Sequence, residues 1–78
     1  MKLTYDPALN IAYIRFKNTR GRVRTVSVSD DLNVDIASDG SIYGLELLNA
    51  NHQLGIRHSK KFIVENETSG ETLELAVG

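Results

Sequence analysis

Residues 33–47 read NVDIASDGSIYGLEL, and this stretch decides the fold. Asp39-Gly40 at its centre is a preferred pair for a two-residue type I′ turn, which needs positive φ at both positions. With Ser38 opposite Ser41, Ile36 faces Tyr43, Val34 faces Leu45 and Leu32 faces Leu47, all on one side. Asn33, Asp35, Gly44 and Glu46 fall on the other. A slip of one residue brings Val34 to Glu46 and Ile36 to Gly44, and the apolar face breaks up. Loop chemistry and hydrophobic period agree on one register.

Working outward, residues 5–16 read YDPALNIAYIRF. Asp6-Pro7 suits a type I turn, because proline presets φ and the aspartate can bond the backbone beyond it. Asn10 tolerates the left-handed geometry on which such a loop returns. Leu3 and Tyr5 alternate with Lys2 and Thr4, and Ala12, Ile14 and Phe16 alternate with Ile11, Tyr13 and Arg15, so a hairpin is expected. Opposing Tyr5 to Ala12 sets Leu3 against Ile14 on one apolar face.

Between these hairpins lies KNTRGRVRTVSVSDD, residues 17–31. Asn18 to Gly21 read as a turn, and 22–29 as a strand with Val26 and Val28 on one face and Val23 on the other. Asp30-Asp31 close it. Five strands follow one another, and an antiparallel meander with each strand beside its predecessor is expected. After Leu48, residues 49–54 suit either one short helical turn, with Asn49 as cap, Leu54 inward and Gly55 as stop, or a plain loop. KFIVEN and TLELAV then flank a turn at Gly70, giving a C-terminal hairpin with Phe62, Val64, Leu73 and Leu75 on its apolar side. The fold class is mainly β, and the expected core is Leu3, Tyr5, Ile14, Phe16, Leu32, Val34, Ile36, Tyr43, Leu45 and Leu47.

A chain of 78 residues forms a single domain, 1–78. At this size about 60% of the unfolded surface is buried, so stability is marginal. There is no cysteine, which removes disulfides and thiolate metal sites. A compact lone core or oligomerisation remains as support, and the open edges of a small sheet favour oligomerisation. MKLTYDP lacks the apolar run of a signal peptide, and no segment has membrane-spanning length. The Asn66-Glu67-Thr68 acceptor triplet carries no weight without secretion. A soluble cytoplasmic protein with no membrane association is expected.

The net charge of −1 hides a segregation: residues 1–29 carry +5, residues 30–56 carry −5 and the tail −1. Opposite patches suit self-association or a polyanion; neighbouring strands can also neutralise one another. Arg15, Lys17, Arg20, Arg22 and Arg24 gather on two strands and their turn, with Tyr13 and Phe16 interleaved. A basic β-ribbon can grip nucleic acid, although the sequence pI of about 6.0 is far from the usual footprint above about 9.

Chemistry is sparse. His52 and His58 are the two histidines, at no recognised ligand spacing. Ser59 adjoins His58, but neighbours on a strand point to opposite faces. Asp35 and Glu46 are diagonal on the polar face of the 33–47 hairpin, where carboxylates are commonly solvated. The glycines are dispersed, so no phosphate loop is present. No cofactor, metal site or catalytic residue is expected, and the chain reads as a non-enzyme.

Met1-Lys2, Tyr5-Asp6-Pro7, the strand Ala12 to Phe16, Asn33 to Ile36, Asp39-Gly40 and Ile42 to Ala50 together resemble a widespread family of short prokaryotic proteins. That family is known only as a domain of unknown function, number twenty-two eighty-three. The resemblance covers about the first 50 residues and implies a hairpin-built fold, with no activity, cofactor or catalytic residue to carry over. The tail 51–78 departs from the family's short ending and reads as a C-terminal extension. Members are often small stand-alone proteins encoded beside other small proteins, which by association implies an antitoxin-like role. The expected function is an interaction module that forms a homodimer or binds a small protein partner. The alternative is a nucleic-acid-associated regulator using the basic hairpin.

Overall fold

A computed structural model describes residues 1–18 and 21–77. Its elements are β1 (Lys2–Asp6), β2 (Ile11–Arg15), β3 (Val23–Ser29), β4 (Leu32–Ala37), β5 (Ile42–Leu48), α1 (Ala50–Gln53), β6 (Lys61–Glu65) and β7 (Thr72–Ala76). The chain is mainly β: a five-stranded antiparallel sheet, a two-stranded C-terminal hairpin and one short helix.

The first hairpin has the register read from its alternation, Tyr5 opposite Ala12 and Leu3 opposite Ile14. The Asp6 carboxylate accepts from the Ala8 and Leu9 amides at 2.9 and 3.2 Å, and Asn10 adopts a left-handed φ of 57°. Asn10 also ties this loop to the helix. Its carbonyl accepts from the Ala50 amide at 3.0 Å, and its side-chain oxygen accepts from the Asn51 amide at 2.7 Å. α1 forms where expected, with Asn49 at its N-cap position, although the Asn49 side chain makes no cap bond.

The strand order corrects the meander. It is β1-β2-β5-β4-β3, so β2 pairs with β5 and not with β3. Three hairpin-linked strands with a fourth beside the outer one make a Greek key. Strand composition explains the exchange. β2 and β5 are apolar on both faces, through Ile11, Ala12, Tyr13 and Ile14 and through Tyr43, Leu45, Leu47 and Leu48. β3, with Arg24, Thr25, Ser27 and Ser29, gains less from neighbours on both sides and takes an edge.

The β4–β5 hairpin pairs Leu32 with Leu47 and Val34 with Leu45 as its pattern demands. Its turn differs from the expected type. The Ala37 amide bonds the Ser41 carbonyl at 2.8 Å, the Gly40 amide bonds the Ala37 carbonyl at 2.9 Å, and Gly40 alone takes positive φ, at 87°. This is a three-residue loop with glycine at the left-handed position. Asp39 serves instead as an acceptor, for the Ser41 amide at 2.9 Å and the Ser41 hydroxyl at 2.5 Å. The extra loop residue is offset by a register shift between Asp35 and Ile36, which pairs Ile36 with Ile42. Tyr43 thereby leaves the expected face and lies with Tyr13 and Asp35 on the other, only 8% exposed. A second shift, between Ser27 and Ser29, leaves Val28 unpaired and breaks its alternation with Val26.

Candidate interaction surface

Strand pairing sets one apolar row across the whole sheet: Leu3, Ile14, Leu45, Val34 and Val26. A second row, Tyr5, Ala12, Leu47 and Leu32, runs beside it. Directly opposed residues in an antiparallel pair share a face, so both rows lie on one side. Ile36 and Arg24, also paired, extend this face towards the β4–β5 turn.

The chain covers only one end of it. α1 packs against β2, and the Tyr5 hydroxyl donates to the Asn51 side chain, so the helix sits over Ala12, which is 1% exposed. Ala50 and Ile56 are buried in the same cap. The β6–β7 hairpin stands beside Leu3, Tyr5 and Ile14 across an apolar cleft of about 560 Å³, contributing Phe62, Val64 and Leu75. Val34, Ile36 and Leu45 are only half-buried, and no helix or strand of the described residues packs extensively over them. Of the residues expected in the core, only Tyr43 is buried. Leu3, Tyr5, Ile14, Leu32, Val34, Ile36, Leu45 and Leu47 are half-buried, and Phe16 is 41% exposed. Among the described residues no large side chain is fully buried.

The opposite face is mixed: Ile11, Tyr13, Tyr43 and Leu48 lie along β2 and β5, beside polar side chains that pair with one another. Tyr13 lies across β5 above Gly44, where a Cβ would stand inside the ring's van der Waals shell. It reaches β4, and its hydroxyl donates to Asp35 at 2.6 Å. Thr25 donates to the other Asp35 oxygen at 2.6 Å, and Asn33 donates to Glu46 at 2.9 Å. Burial, then the hydrogen bond to Asp35 and that carboxylate's charge, push the Tyr13 phenol well above its ordinary value. Hydrogen bonds from Ser41 hold the exposed Asp39 carboxyl below the usual range, with a lesser contribution from Lys17 at 3.7 Å. Asp35 and Glu46 are thus diagonal, as their spacing requires, and each is held by its own donors. Tyr13 escaped the reading for chemistry; a glycine inside an otherwise bulky strand was its signal.

The basic residues do not form a ribbon. Arg15 lies on the polar face opposite Lys2, while Arg24 lies opposite Ile36 on the apolar face. Two whole strands, β5 and β4, separate β2 from β3. Lys17 sits near Asp39, Arg22 precedes β3, and Arg20 falls outside the described residues. The hairpin assumed for nucleic-acid contact therefore does not exist. His52 lies in α1 and His58 in the loop after it, and among the described residues no three His, Asp or Glu side chains gather closely enough to hold a metal ion. No helix of the described residues is long and apolar enough to cross a membrane.

No curated protein and no solved structure matches the chain. The sequence model of the family described as protein of unknown function (DUF2283) matches residues 2–51, which hold all five strands of the sheet and the start of α1. On that match, over more than half its length, the chain belongs to the DUF2283 family of proteins of unknown function.

Proposed function

We propose that this protein is a non-enzymatic interaction module that associates through the apolar face of its sheet, with a second copy of itself or with a small protein partner. The carrying observation is the incomplete second layer. A sheet with one hydrophobic face needs another layer over it. Here α1 and the terminal hairpin lie along β1–β2, with Gln53 of α1 reaching across to the Leu48 and Asp31 carbonyls at the rim of β5 and β4, while Val34, Ile36 and Leu45 stay only half-buried. The antitoxin-like role implied by the family resemblance is one form of this reading. The satisfied Asp35 and Glu46 support a structural role for the polar face rather than catalysis. A cytoplasmic setting fits a cysteine-free chain.

Sedimentation velocity across micromolar concentrations tests the reading. The expected result is a mass above that of the monomer, lowered by Val34→Glu with the far-ultraviolet spectrum of the sheet retained. A well-folded wild-type monomer that also brings down no stoichiometric protein from its own cells overturns it. Retardation of nucleic acid at low salt by that monomer would favour the basic reading in its place.

A further inference from the structure

The two open edges of the sheet are unlike. β1 has five residues, with Lys2 at one end and Asp6 at the other, and the terminal hairpin stands beside it. β3 has seven, six of them exposed, and no charged residue between Arg24 and Asp30. Edge strands are normally blunted by charge, proline or a covering segment. The run Thr25–Ser29 has none of these, and Val26 and Val28 are 38% and 60% exposed. Its one protecting device is the irregularity at Val28.

Charge along this edge is self-complementary. Arg22 and Arg24 stand at its amino end, Asp30 and Asp31 just beyond its carboxyl end, and among the described residues none of the four enters an ion pair. Antiparallel pairing of two such strands sets basic end against acidic end twice. Parallel pairing sets like against like.

We propose that β3 pairs antiparallel with β3 of a second copy, about a two-fold axis at Val26, joining two five-stranded sheets into one of ten. Val26 then meets its symmetry mate, Arg24 lies opposite Val28, and Arg22 lies opposite Asp30. The irregularity at Val28 shifts the last pair by one residue at most, to Asp31 of the same charge. This register continues the row Leu3, Ile14, Leu45, Val34 and Val26 into its mate. A register of opposite parity would abut the apolar face on the polar one. The proposal goes beyond the face reading and shares with it only self-association: edge pairing widens the apolar face without covering it, so the two contacts are separate. Such an interface is isologous, as two-fold dimers require.

The absence of native cysteine gives a direct test. Opposed residues in an antiparallel pair lie about 4.5–5.5 Å apart at Cα, within disulfide reach. Under mild oxidation of the folded protein, Val26→Cys is expected to form a disulfide-linked dimer, while Ser27→Cys and Thr4→Cys on β1 stay unlinked. Arg22→Asp with Arg24→Asp is expected to weaken dimerisation about tenfold, and adding Asp30→Arg with Asp31→Arg restores it. Linking of Ser27→Cys or Thr4→Cys as readily as Val26→Cys overturns the proposal, as does a dimer indifferent to charge reversal. If these fail while Val34→Glu still dissociates the assembly, edge pairing falls and the face reading stands. A wild-type monomer removes both.

Discussion

Two hairpins of this chain close by similar chemistry and reach different ends. At β4–β5, Gly40 takes φ 87° and the Asp39 carboxylate bonds the amide of Ser41. At β6–β7, Gly70 takes φ 76° and the Asn66 side chain accepts from the Thr68 and Ser69 amides at 3.0 and 3.2 Å. β6–β7 pairs in unbroken register, Val64 with Leu73, and β4–β5 pairs Val34 with Leu45 before its shift at Asp35. Yet every residue of β4 is half-buried, whereas every residue of β6 and β7 is exposed. β4–β5 lies between β3 and β2, and β6–β7 pairs with nothing else. Turn chemistry makes a hairpin, but neighbours on both sides make it part of a cooperative sheet; an isolated two-stranded hairpin is marginal in water. The family match ends at residue 51, so it spans the supported hairpin and leaves out the unsupported one.

The sharpest way to break this contrast is Gly44→Ala. The new methyl displaces the Tyr13 ring from its seat over β5, and overpacking of this kind costs about 1–3 kcal/mol. A lower urea midpoint with unchanged slope is expected. Tyr13→Ala in the same chain should make the added methyl nearly harmless, because the obstruction is gone.

Tyr13→Phe is the next largest. It removes the hydroxyl shared with Asp35 and costs about 1 kcal/mol at neutral pH. Its pH signature is distinctive. The folded phenol titrates above its ordinary value of 10.0, so the native state holds a proton that the unfolded chain releases. The associated stability is fully present below that value and is lost as pH rises above it. Wild-type thermal midpoints should therefore fall more steeply above pH 10.0 than those of Tyr13→Phe. Equal slopes would show that the phenol is not held in this way.

The smallest effect belongs to the terminal hairpin. Leu73 is 58% exposed, and Leu73→Ala should change the unfolding midpoint of the sheet by less than about 0.5 kcal/mol. Amide exchange in β6 and β7 should already be faster than in β4 and β5. Protection of β6–β7 equal to that of β4–β5 would erase the distinction.

Much of the sheet was legible locally. The register of β1–β2 and the pairs Leu32–Leu47 and Val34–Leu45 follow from period-two alternation, with the first loop set by Asp6-Pro7. The displaced Tyr43 was not, since one more residue in the loop moved the bulge to where that side chain changes sides. Nor was the fate of the arginines, because Arg15 and Arg24 share a ribbon only if β2 and β3 are neighbours.

By itself, the amino-acid order determined which residues become strands, where the chain turns and, away from the two register shifts, which side chains share a face. Those properties depend on residues a few positions apart. Only the tertiary structure decided that β5 rather than β3 lies beside β2, that Tyr13 crosses Gly44 to Asp35, and that Val34, Ile36 and Leu45 stay only half-buried. Each of these compares burial among strands far apart in the chain, and a strand apolar on both sides takes an interior place whatever precedes it.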